Sequence, residues 1–300
     1  MSETLPKITV VTPSFNQAEF LEATIQSVLG QCYPRLEYIV MDGGSTDNSV
    51  EIIRRHEASL AHWVSAKDGG QAAALNAAFA RATGDIFCWV NSDDFFLPGA
   101  LHQVARLLAG APAEPALVYG ACLTFHEDSA AAKVLRPRAH DPAALRMYDY
   151  IVQPSAFWTR ALWEKTGVLD TTLSYAFDWD WFIRASDHCH FQTTAKIFSA
   201  YRHHDAHKTG TGGDQRMEEI VSVVRRHGSA ADVACYEFAM KQRAALAHRS
   251  RVAQRARGFG SAVAQRTAQL LTPQLWRLPR GIERGAFEQC RGMLGISPGY

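Results

Sequence analysis

The stretch Asp85–Asp94, with the sequence DIFCWVNSDD, decides the fold class of this chain. Its apolar part, Ile86–Val90, is typical of a short strand buried on both faces of a sheet. Two adjacent carboxylates, Asp93 and Asp94, follow directly. Because adjacent carboxylates repel each other, they need water, hydrogen-bond donors or a cation around them. For this segment alone, capping of a helix that begins near Pro98 is an equal alternative.

Strand-like and helix-like segments alternate around this stretch. Buried-strand patterns cover Lys7–Thr12, Leu36–Met41, His62–Ala66 and Ile86–Val90, and helical patterns cover Glu19–Leu29, Asn48–His56, Gln71–Ala82 and Leu97–Leu108. This alternation predicts an α/β fold with a mostly parallel sheet covered by helices. Ligands bind such sheets beyond the carboxyl ends of the strands.

A polar cluster follows each of the four predicted strands. The clusters are Pro13–Asn16, Asp42–Asp47, Lys67–Gln71 and Asn91–Asp94. We expect all four at one rim of the sheet, where a nucleotide and its diphosphate would bind. Glycine pairs in two of them allow a ligand close to the backbone, although such a pair often marks only a turn.

The phosphate-binding signatures of two large enzyme classes are absent from the sequence. It contains neither GxGxxG nor GxxxxGK[ST], which disfavours a dehydrogenase and a P-loop kinase. The acidic pair predicts instead a divalent cation, Mg²⁺ or Mn²⁺, that neutralises a bound diphosphate.

The formal net charge of +1 is unevenly distributed. Residues 241–300 hold 11 Lys and Arg but only two acidic residues, whereas residues 1–240 carry a net charge of −8. An acidic body disfavours nucleic acid as a partner. The segment Lys241–Arg257 predicts a basic amphipathic helix on anionic lipid, and a solvated appendage or an oligomer contact is the alternative.

Cysteine spacing and hydropathy predict the compartment. Six cysteines without CxxC spacing indicate reduced thiols. The N-terminus has no apolar stretch of signal-peptide length, and no apolar run approaches the ~20 residues that span a bilayer. We expect a cytoplasmic protein, with peripheral contact at the inner face of the membrane as a further hypothesis.

A second acidic site lies in the stretch AFDWDWFIR. Asp178 and Asp180 are two residues apart, so they do not share one face of a helix. Aromatic neighbours raise the pKa of a carboxylate by desolvation and make it a better base. The alternative is that both acids simply stabilise the positive end of a helix. Downstream, the histidines of HHDAHK are either metal ligands or a solvated cluster.

Seven ordered motifs within Ile8–Thr209 resemble the family 2 inverting glycosyltransferases with the GT-A fold, of the bacterial cell-surface polysaccharide type. They are ITVVTPSFNQAEFLEATIQSVLGQ, YIVMDGGSTDNS, AKDGGQAAALN, WVNSDDFFLPGAL, QPSAFWTRALWEKTGVLD, FDWDWFIR and YRHHDAHKT. The resemblance implies a GT-A domain over residues 1–210 and leaves 211–300 as a basic helical C-terminal region.

The resemblance also implies roles for individual residues. The residues implied to contact the nucleotide sugar are Thr12, Pro13, Ser14, Asn16, Asp42 (at the base), Asp68, Gln71, Asn76 and Asp93. The residues implied to bind the metal are Asp93, Asp94 and His204.

Asp178 is the implied catalytic base. The sequence departs from the family at Phe177, where relatives carry Glu, so Asp180 competes for that role. It departs again at Asn91, where relatives often carry Asp, so either Asp93 or Asp94 is the direct ligand.

The implied reaction is a single displacement. An acceptor hydroxyl, on a glycan or a lipid-linked molecule, attacks the anomeric carbon of a nucleotide-diphosphate sugar and inverts its configuration. Two rivals stay open: a non-catalytic nucleotide-sugar-binding protein and a sugar-nucleotide pyrophosphorylase. The second normally carries a basic Gly-rich turn after its first strand, where this chain has TPSFNQ. A homo-oligomer is a further expectation.

Overall fold

The computed structural model describes residues 5–110, 113–128, 131–204, 208–256 and 282–294, with side chains left out at 209 and 244–256. The chain divides into two compact units. The first comprises Met1–Leu145 and Tyr150–Arg216, and the second comprises Arg146–Asp149 and Met217–Tyr300.

The N-terminal part of the first unit has the predicted alternation of strands and helices. Its elements are β1 (Ile8–Ser14), α1 (Ala18–Leu29), β2 (Leu36–Asp42), α2 (Ser49–His56), β3 (His62–Ser65), α3 (Gln71–Arg81), β4 (Ile86–Trp89), β5 (Phe95–Phe96) and α4 (Ala100–Leu108). All residues of β4 are buried, as its apolar sequence predicts for a central strand.

The rest of the first unit mixes longer strands with short helices. Its elements are β6 (Leu117–His126), β7 (Ala132–Leu135), α5 (Pro142–Met147, whose last two residues are assigned to the second unit), β8 (Ala156–Thr159), α6 (Arg160–Thr166), α7 (Phe177–Ser186), β9 (Gln192–His203) and α8 (Lys208–Thr211). The helix α9 (Gly213–His227) follows.

The described strands form one sheet in the order β3-β2-β1-β4-β8-β6-β9-β5, with β7 paired to β6. Strands β1 to β4 are parallel, which places their carboxyl ends at one rim. The other half is mixed, because β8 runs antiparallel to β4 and β6 whereas β9 runs parallel to β6. The α/β prediction is confirmed, and its parallel part is the half that carries the polar clusters.

The first predicted strand, Lys7–Thr12, was too short at its carboxyl end. Pro13 and Ser14 continue β1 and pair with Met41 and Asp42 of β2. Proline is tolerated there because the pairing of β1 with β4 already ends at Val11. Strand β8 begins only at Ala156, since Gln153–Ser155 forms a 3₁₀ turn around Pro154.

An aromatic cluster fixes α7 against the sheet. The ring of Trp158 on β8 lies 5.3 Å from that of Trp89 on β4 and 4.8 Å from that of Trp181 on α7, between ring centroids. Trp163 on α6 lies 5.5 Å from Trp181, and Phe79 on α3 lies 4.6 Å from Trp163. Packed aromatic pairs contribute roughly 0.5–1.5 kcal/mol each beyond burial, so the start of α7 is held firmly.

The second unit is helical in its described part. It contains most of α9, α10 (Ala230–Ala256) and α11 (Arg284–Met293). Buried Cys235 on α10 and Cys290 on α11 place their sulfur atoms 3.0 Å apart. The predicted amphipathic segment Lys241–Arg257 lies mostly in α10, but its side chains from residue 244 onward, and residue 257 itself, lie outside the described part. No described helix is both long and apolar enough to cross a bilayer.

Candidate active site

A chain of hydrogen bonds runs along the rim formed by the parallel strands. The Lys208 ammonium donates to Gln71 Oε1 (2.7 Å), and Gln71 Nε2 donates to Asn91 Oδ1 (2.8 Å). Asn91 Nδ2 then donates to Asp94 Oδ2 (3.3 Å). The chain joins the segments that follow β3, β4 and β9, so three of the predicted polar segments meet at one place.

Asp93 lies at the same rim, in the loop after β4. Its Oδ2 lies 3.2 Å from His204 Nε2, at the end of β9. Arg202 donates from Nε to the carbonyl oxygen of Asp93 (3.0 Å) and stacks its guanidinium over the Phe20 ring at 4.8 Å. These contacts hold the loop after β4 against β9, and they bring together two of the three predicted metal ligands.

Asp94 points inward and differs from Asp93 in its environment. Its side chain is almost fully buried, and its Oδ1 accepts from the backbone N–H of Arg202 (3.0 Å). Burial, together with the adjacent Asp93 carboxylate, raises the pKa of Asp94, and the hydrogen bonds from Arg202 and Asn91 offset part of that rise. Both carboxylate oxygens of Asp94 are therefore used within the protein.

The side-chain atoms at this rim that could coordinate a metal ion fit a metal that takes most of its ligands from a substrate. Within the described residues, no group of three or more His, Cys, Asp and Glu side chains is arranged to hold a metal ion. Asp93 and His204 supply one oxygen and one nitrogen donor side by side. Divalent cations in nucleotide enzymes commonly use one or two protein ligands plus phosphate oxygens and water, so this pair fits such a site.

Asp178 lies in the first turn of α7. It is half-buried, and its Oδ1 accepts from the backbone N–H of Trp179 (2.8 Å). Burial raises the pKa of Asp178, while the Trp179 N–H and the positive charges of Lys208 and Arg216 offset part of the rise. A partly accessible carboxyl with a raised pKa suits a general base.

Asp180 has a different environment. It is buried, and Arg184, one helical turn later, donates from Nε to its Oδ2 (2.9 Å). The same guanidinium donates to the carbonyl oxygens of Thr166 and Val168, both at 2.8 Å. Through Arg184, this ion pair connects α7 to the end of α6. Asp180 therefore helps to hold α7 in place.

Asp42, the predicted base contact, is enclosed by donors. It is 2% exposed. Its Oδ2 accepts from Ser65 Oγ (2.6 Å) and from the backbone N–H groups of Ser45 (2.9 Å) and Gly44 (3.2 Å), and its Oδ1 accepts from Ser45 Oγ. These contacts shape the loop after β2 and bury the Asp42 carboxylate; its contact with the base of a nucleotide stays a prediction.

The predicted nucleotide contacts at the end of β1 and directly after it divide into two groups. Thr12 and Pro13 are buried, with the Thr12 hydroxyl 3.0 Å from that of Tyr38. Asn16 has a left-handed φ of 51°, and its Oδ1 accepts from the backbone N–H of Thr46 (2.8 Å). Asn16 therefore ties the first loop to the second. The Ser14 hydroxyl is buried at the rim without a hydrogen-bond partner among the described residues.

Two residues that were predicted to contact the nucleotide sugar also form hydrogen bonds within the protein. Asn76 exchanges two hydrogen bonds, both 2.9 Å, with the backbone of Leu169, which precedes α7. Gln71 is a link in the rim chain. Asp68, by contrast, is exposed. Gln71, Asp93 and His204 therefore lie together at the rim, whereas Thr12, Asp42 and Asn76 form hydrogen bonds that hold the neighbouring segments in place.

Four residues at the rim carried no predicted role: Phe15, Asn91, Lys208 and Arg202. Lys208 ends the stretch HHDAHK, in which the histidines were the predicted metal ligands; His207 lies outside the described residues. Phe15 directly follows β1 and is 59% exposed, which is unusual for a phenylalanine.

Comparisons with known proteins agree with this geometry. Residues 9–136 match the family model described as glycosyl transferase family 2. Two uncharacterized glycosyltransferases from strains of Mycobacterium tuberculosis are 29% identical over 230 residues, which is 74% of this chain and 83% of theirs. A putative teichuronic acid biosynthesis glycosyltransferase of Bacillus subtilis is 36% identical over 97 residues, which is 31% of this chain and 38% of that protein.

Two solved structures share the fold. TarS of S. aureus, in complex with UDP-GlcNAc, superposes with a TM-score of 0.61 at 16% identity and covers 73% of this chain and 65% of its own. A mannosyltransferase from Pyrobaculum calidifontis, in complex with GDP-Man and Mn²⁺, gives 0.60 at 21% identity over 98% of this chain and 86% of its own. The fold prediction is confirmed, because the chain shares the GT-A fold of these glycosyltransferases, and the predicted resemblance to glycosyl transferase family 2 is confirmed over residues 9–136.

Proposed function

We propose that this glycosyltransferase moves a sugar from a nucleotide-diphosphate donor to an acceptor hydroxyl by single displacement, with inversion at the anomeric carbon. The observation that carries the proposal is the half-buried carboxyl of Asp178, whose pKa is raised by burial, together with the nearby charge of Lys208, which is bonded to the rim. Asp178 would accept the proton of the acceptor hydroxyl as its oxygen attacks. Asp180, committed to Arg184, is the weaker candidate.

The diphosphate of the donor would lie over the rim at Asp93 and His204. A bound divalent cation would act there as a Lewis acid that stabilises the departing diphosphate. Asp93 would bind the cation directly and contact the donor, while Asp94 would hold the loop in place. Because imidazole is a commoner ligand for transition metals than for Mg²⁺, the Asp93–His204 pair favours Mn²⁺.

Lys208 and Gln71 would position the donor from the opposite side of the rim. Lys208 lies 5.6 Å from the centroids of both the Tyr175 and Phe177 rings, which restricts its ammonium to this place. A fixed cation near a diphosphate and near the proposed base serves both steps: it attracts the donor and favours ionised Asp178.

The acceptor class is proposed from the family and one relative. The B. subtilis relative is named for teichuronic acid biosynthesis, which supports a cell-surface polysaccharide or its lipid-linked precursor as acceptor. We retain residues 1–210 as the transferase domain and propose that the basic region 211–300 meets anionic lipid at the cytoplasmic face or a second copy of the chain.

A panel of UDP-, GDP- and dTDP-sugars tests the proposal. We expect metal-dependent binding of one donor and release of its nucleotide when an acceptor sugar is added. Wild type that binds but never releases nucleotide with any acceptor would favour the non-catalytic rival. Formation of nucleoside triphosphate from donor and pyrophosphate would favour the pyrophosphorylase.

A further inference from the structure

Two cysteines of the second unit lie side by side although 55 residues separate them in the sequence. Cys290 Sγ, on α11, donates a hydrogen bond to Cys235 Sγ, on α10, at 3.0 Å, and both residues are free thiols. Cys235 is 2% exposed and Cys290 is fully buried. Buried Cys88 and Cys122 differ from this pair, because they donate to backbone carbonyl oxygens. The proposed transfer reaction uses none of these thiols.

Packing of α10 on α11 holds the two thiols together. The rings of Phe238, on α10, and Phe287, on α11, have centroids 5.5 Å apart. Each phenylalanine lies three residues from the cysteine of its own helix, so ring and thiol share one helix face. The helix contact that pairs the rings therefore also pairs the sulfur atoms. Only a small movement separates them from a bond, since disulfides need thiols that face each other at short range.

The hydrogen bond between the thiols makes their reactivities unequal. Donation from Cys290 lowers the pKa of Cys235, although burial opposes this effect. The same hydrogen bond and burial raise the pKa of Cys290. Because the thiolate is the nucleophilic form of cysteine, Cys235 is the sulfur that reacts first with an oxidant. Cys290 is then already in place to attack the oxidised sulfur.

We propose that Cys235 and Cys290 are an oxidisable pair that hydrogen peroxide converts into a reversible disulfide between α10 and α11. Cys235 Sγ attacks one peroxide oxygen, the O–O bond breaks, and the leaving hydroxide takes the thiol proton as water. Cys290 Sγ then attacks the resulting sulfenic acid, the S–S bond forms, and the S–O bond breaks with release of a second water. The thiols together lose two electrons and two protons. This inference does not depend on the proposed function.

The burial of the pair selects the oxidant. A peroxide molecule is small enough to enter when the contact between α10 and α11 opens locally, whereas a bulky disulfide reagent needs a wider opening. The product closes a ring of the chain from residue 235 to residue 290. Because such a ring constrains the unfolded chain, oxidation should raise the melting temperature by roughly 5 °C or more.

The test uses the full-length chain with Cys32→Ser, which removes an exposed thiol that could link two copies. The reduced protein is treated with hydrogen peroxide, and its thiols are counted after denaturation. The count should fall by two, and the intact mass should fall by that of two hydrogen atoms. Dithiothreitol should reverse both changes. Peptide mapping without reductant should find Cys235 linked to Cys290.

Matched variants in the same background separate the two thiols. Cys290→Ser should form no disulfide, and dimedone should trap a sulfenic acid at Cys235, because the second thiol is gone. Cys235→Ser should react more slowly with peroxide, because the remaining thiol has the raised pKa. Peroxide should leave the melting temperature of both variants unchanged. Equal melting temperatures of all three reduced proteins show that the substitutions leave the fold intact.

Trypsin gives a readout that needs no cysteine variant. The chain between the two cysteines contains cleavage sites at Lys241 and Arg284, among others. After peroxide and trypsin, the fragments that carry Cys235 and Cys290 should stay joined on a gel and separate when dithiothreitol is added. An unchanged thiol count, a link between other cysteines, or a gain of oxygen mass without a disulfide would overturn the inference.

Discussion

Lys208 Nζ donates a 2.7 Å hydrogen bond to Gln71 Oε1, although 137 residues separate the two in the sequence. The contact joins the segment after β9 to the first turn of α3. Since the charge of Lys208 also lowers the pKa of Asp178, one side chain links the donor rim with the proposed base. The pH dependence of the reaction therefore tests whether Lys208 acts on Asp178.

The proposed base predicts a shift in the pH profile. Because burial raises the pKa of Asp178, kcat/KM should fall as pH drops through a value above the ordinary 3.8. Lys208→Met removes a charge that favours the ionised carboxylate, so the acid limb should move to higher pH. Lys208→Arg should leave the limb near its wild-type position, and an unmoved limb in Lys208→Met would exclude this electrostatic coupling.

The two acids of α7 should respond differently to loss of charge. Asp178→Asn should lower kcat by roughly 10²–10⁴-fold with donor affinity retained, as expected for loss of a general base. Asp180→Asn breaks the contact with Arg184 and should cost roughly 2 kcal/mol in the free energy of unfolding. Turnover and urea unfolding of both variants decide the assignment, which is reversed if Asp180→Asn alone loses turnover in a stable protein.

Asp93 and Asp94 should also differ in role, with Asp93 as a metal ligand and Asp94 as a structural residue of the loop. Chelation with EDTA should abolish transfer, and added Mn²⁺ should restore it. Asp93→Asn should raise the Mn²⁺ concentration for half-maximal activity by about tenfold or more, and His204→Ala should act in the same direction.

Asp94→Asn provides the comparison for those two variants. Its carboxylate is buried and bonded within the protein, so this change should alter the melting temperature more than the Mn²⁺ requirement. A Mn²⁺ requirement that rises in Asp94→Asn and not in Asp93→Asn would exchange the two roles.

Glu37 on β2 should control stability in acid. Burial alone would raise its pKa, but hydrogen bonds from Lys7, Thr83 and Thr9 outweigh burial and lower the pKa to about 2. A lowered pKa stabilises the folded state above the unfolded value of about 4.3, and this contribution is lost as pH falls from there towards about 2. Glu37→Gln should therefore lose roughly 3 kcal/mol at neutral pH and show a flatter acid dependence in urea unfolding.

Local spacing predicted much of the site. The apolar run before Asp93 and the alternation around it were sufficient for the parallel half of the sheet and its rim. The ion pair of Asp180 was also readable, since Arg184 stands four residues after Asp180, the spacing of an ion pair on a helix.

Contacts between distant segments could not be read from spacing. Asp42 lies at the predicted rim, but its enclosure depends on Ser65 at the end of a different strand. Asn76 was predicted to contact the donor, but it is bonded to Leu169, 93 residues away. A polar side chain at a strand end has the same sequence signature whether it faces a ligand or another loop.

The aromatic cluster that packs α7 against the sheet gives the protein an intrinsic optical probe. Trp179 and Trp181 flank Asp180 and are shielded from water, as are Trp89 and Trp158. Indoles in such surroundings emit at shorter wavelength than hydrated ones, so loosening of α7 would redden and dim the fluorescence. Ultraviolet emission can therefore follow the helix that carries the proposed base during titration or turnover, without an added label.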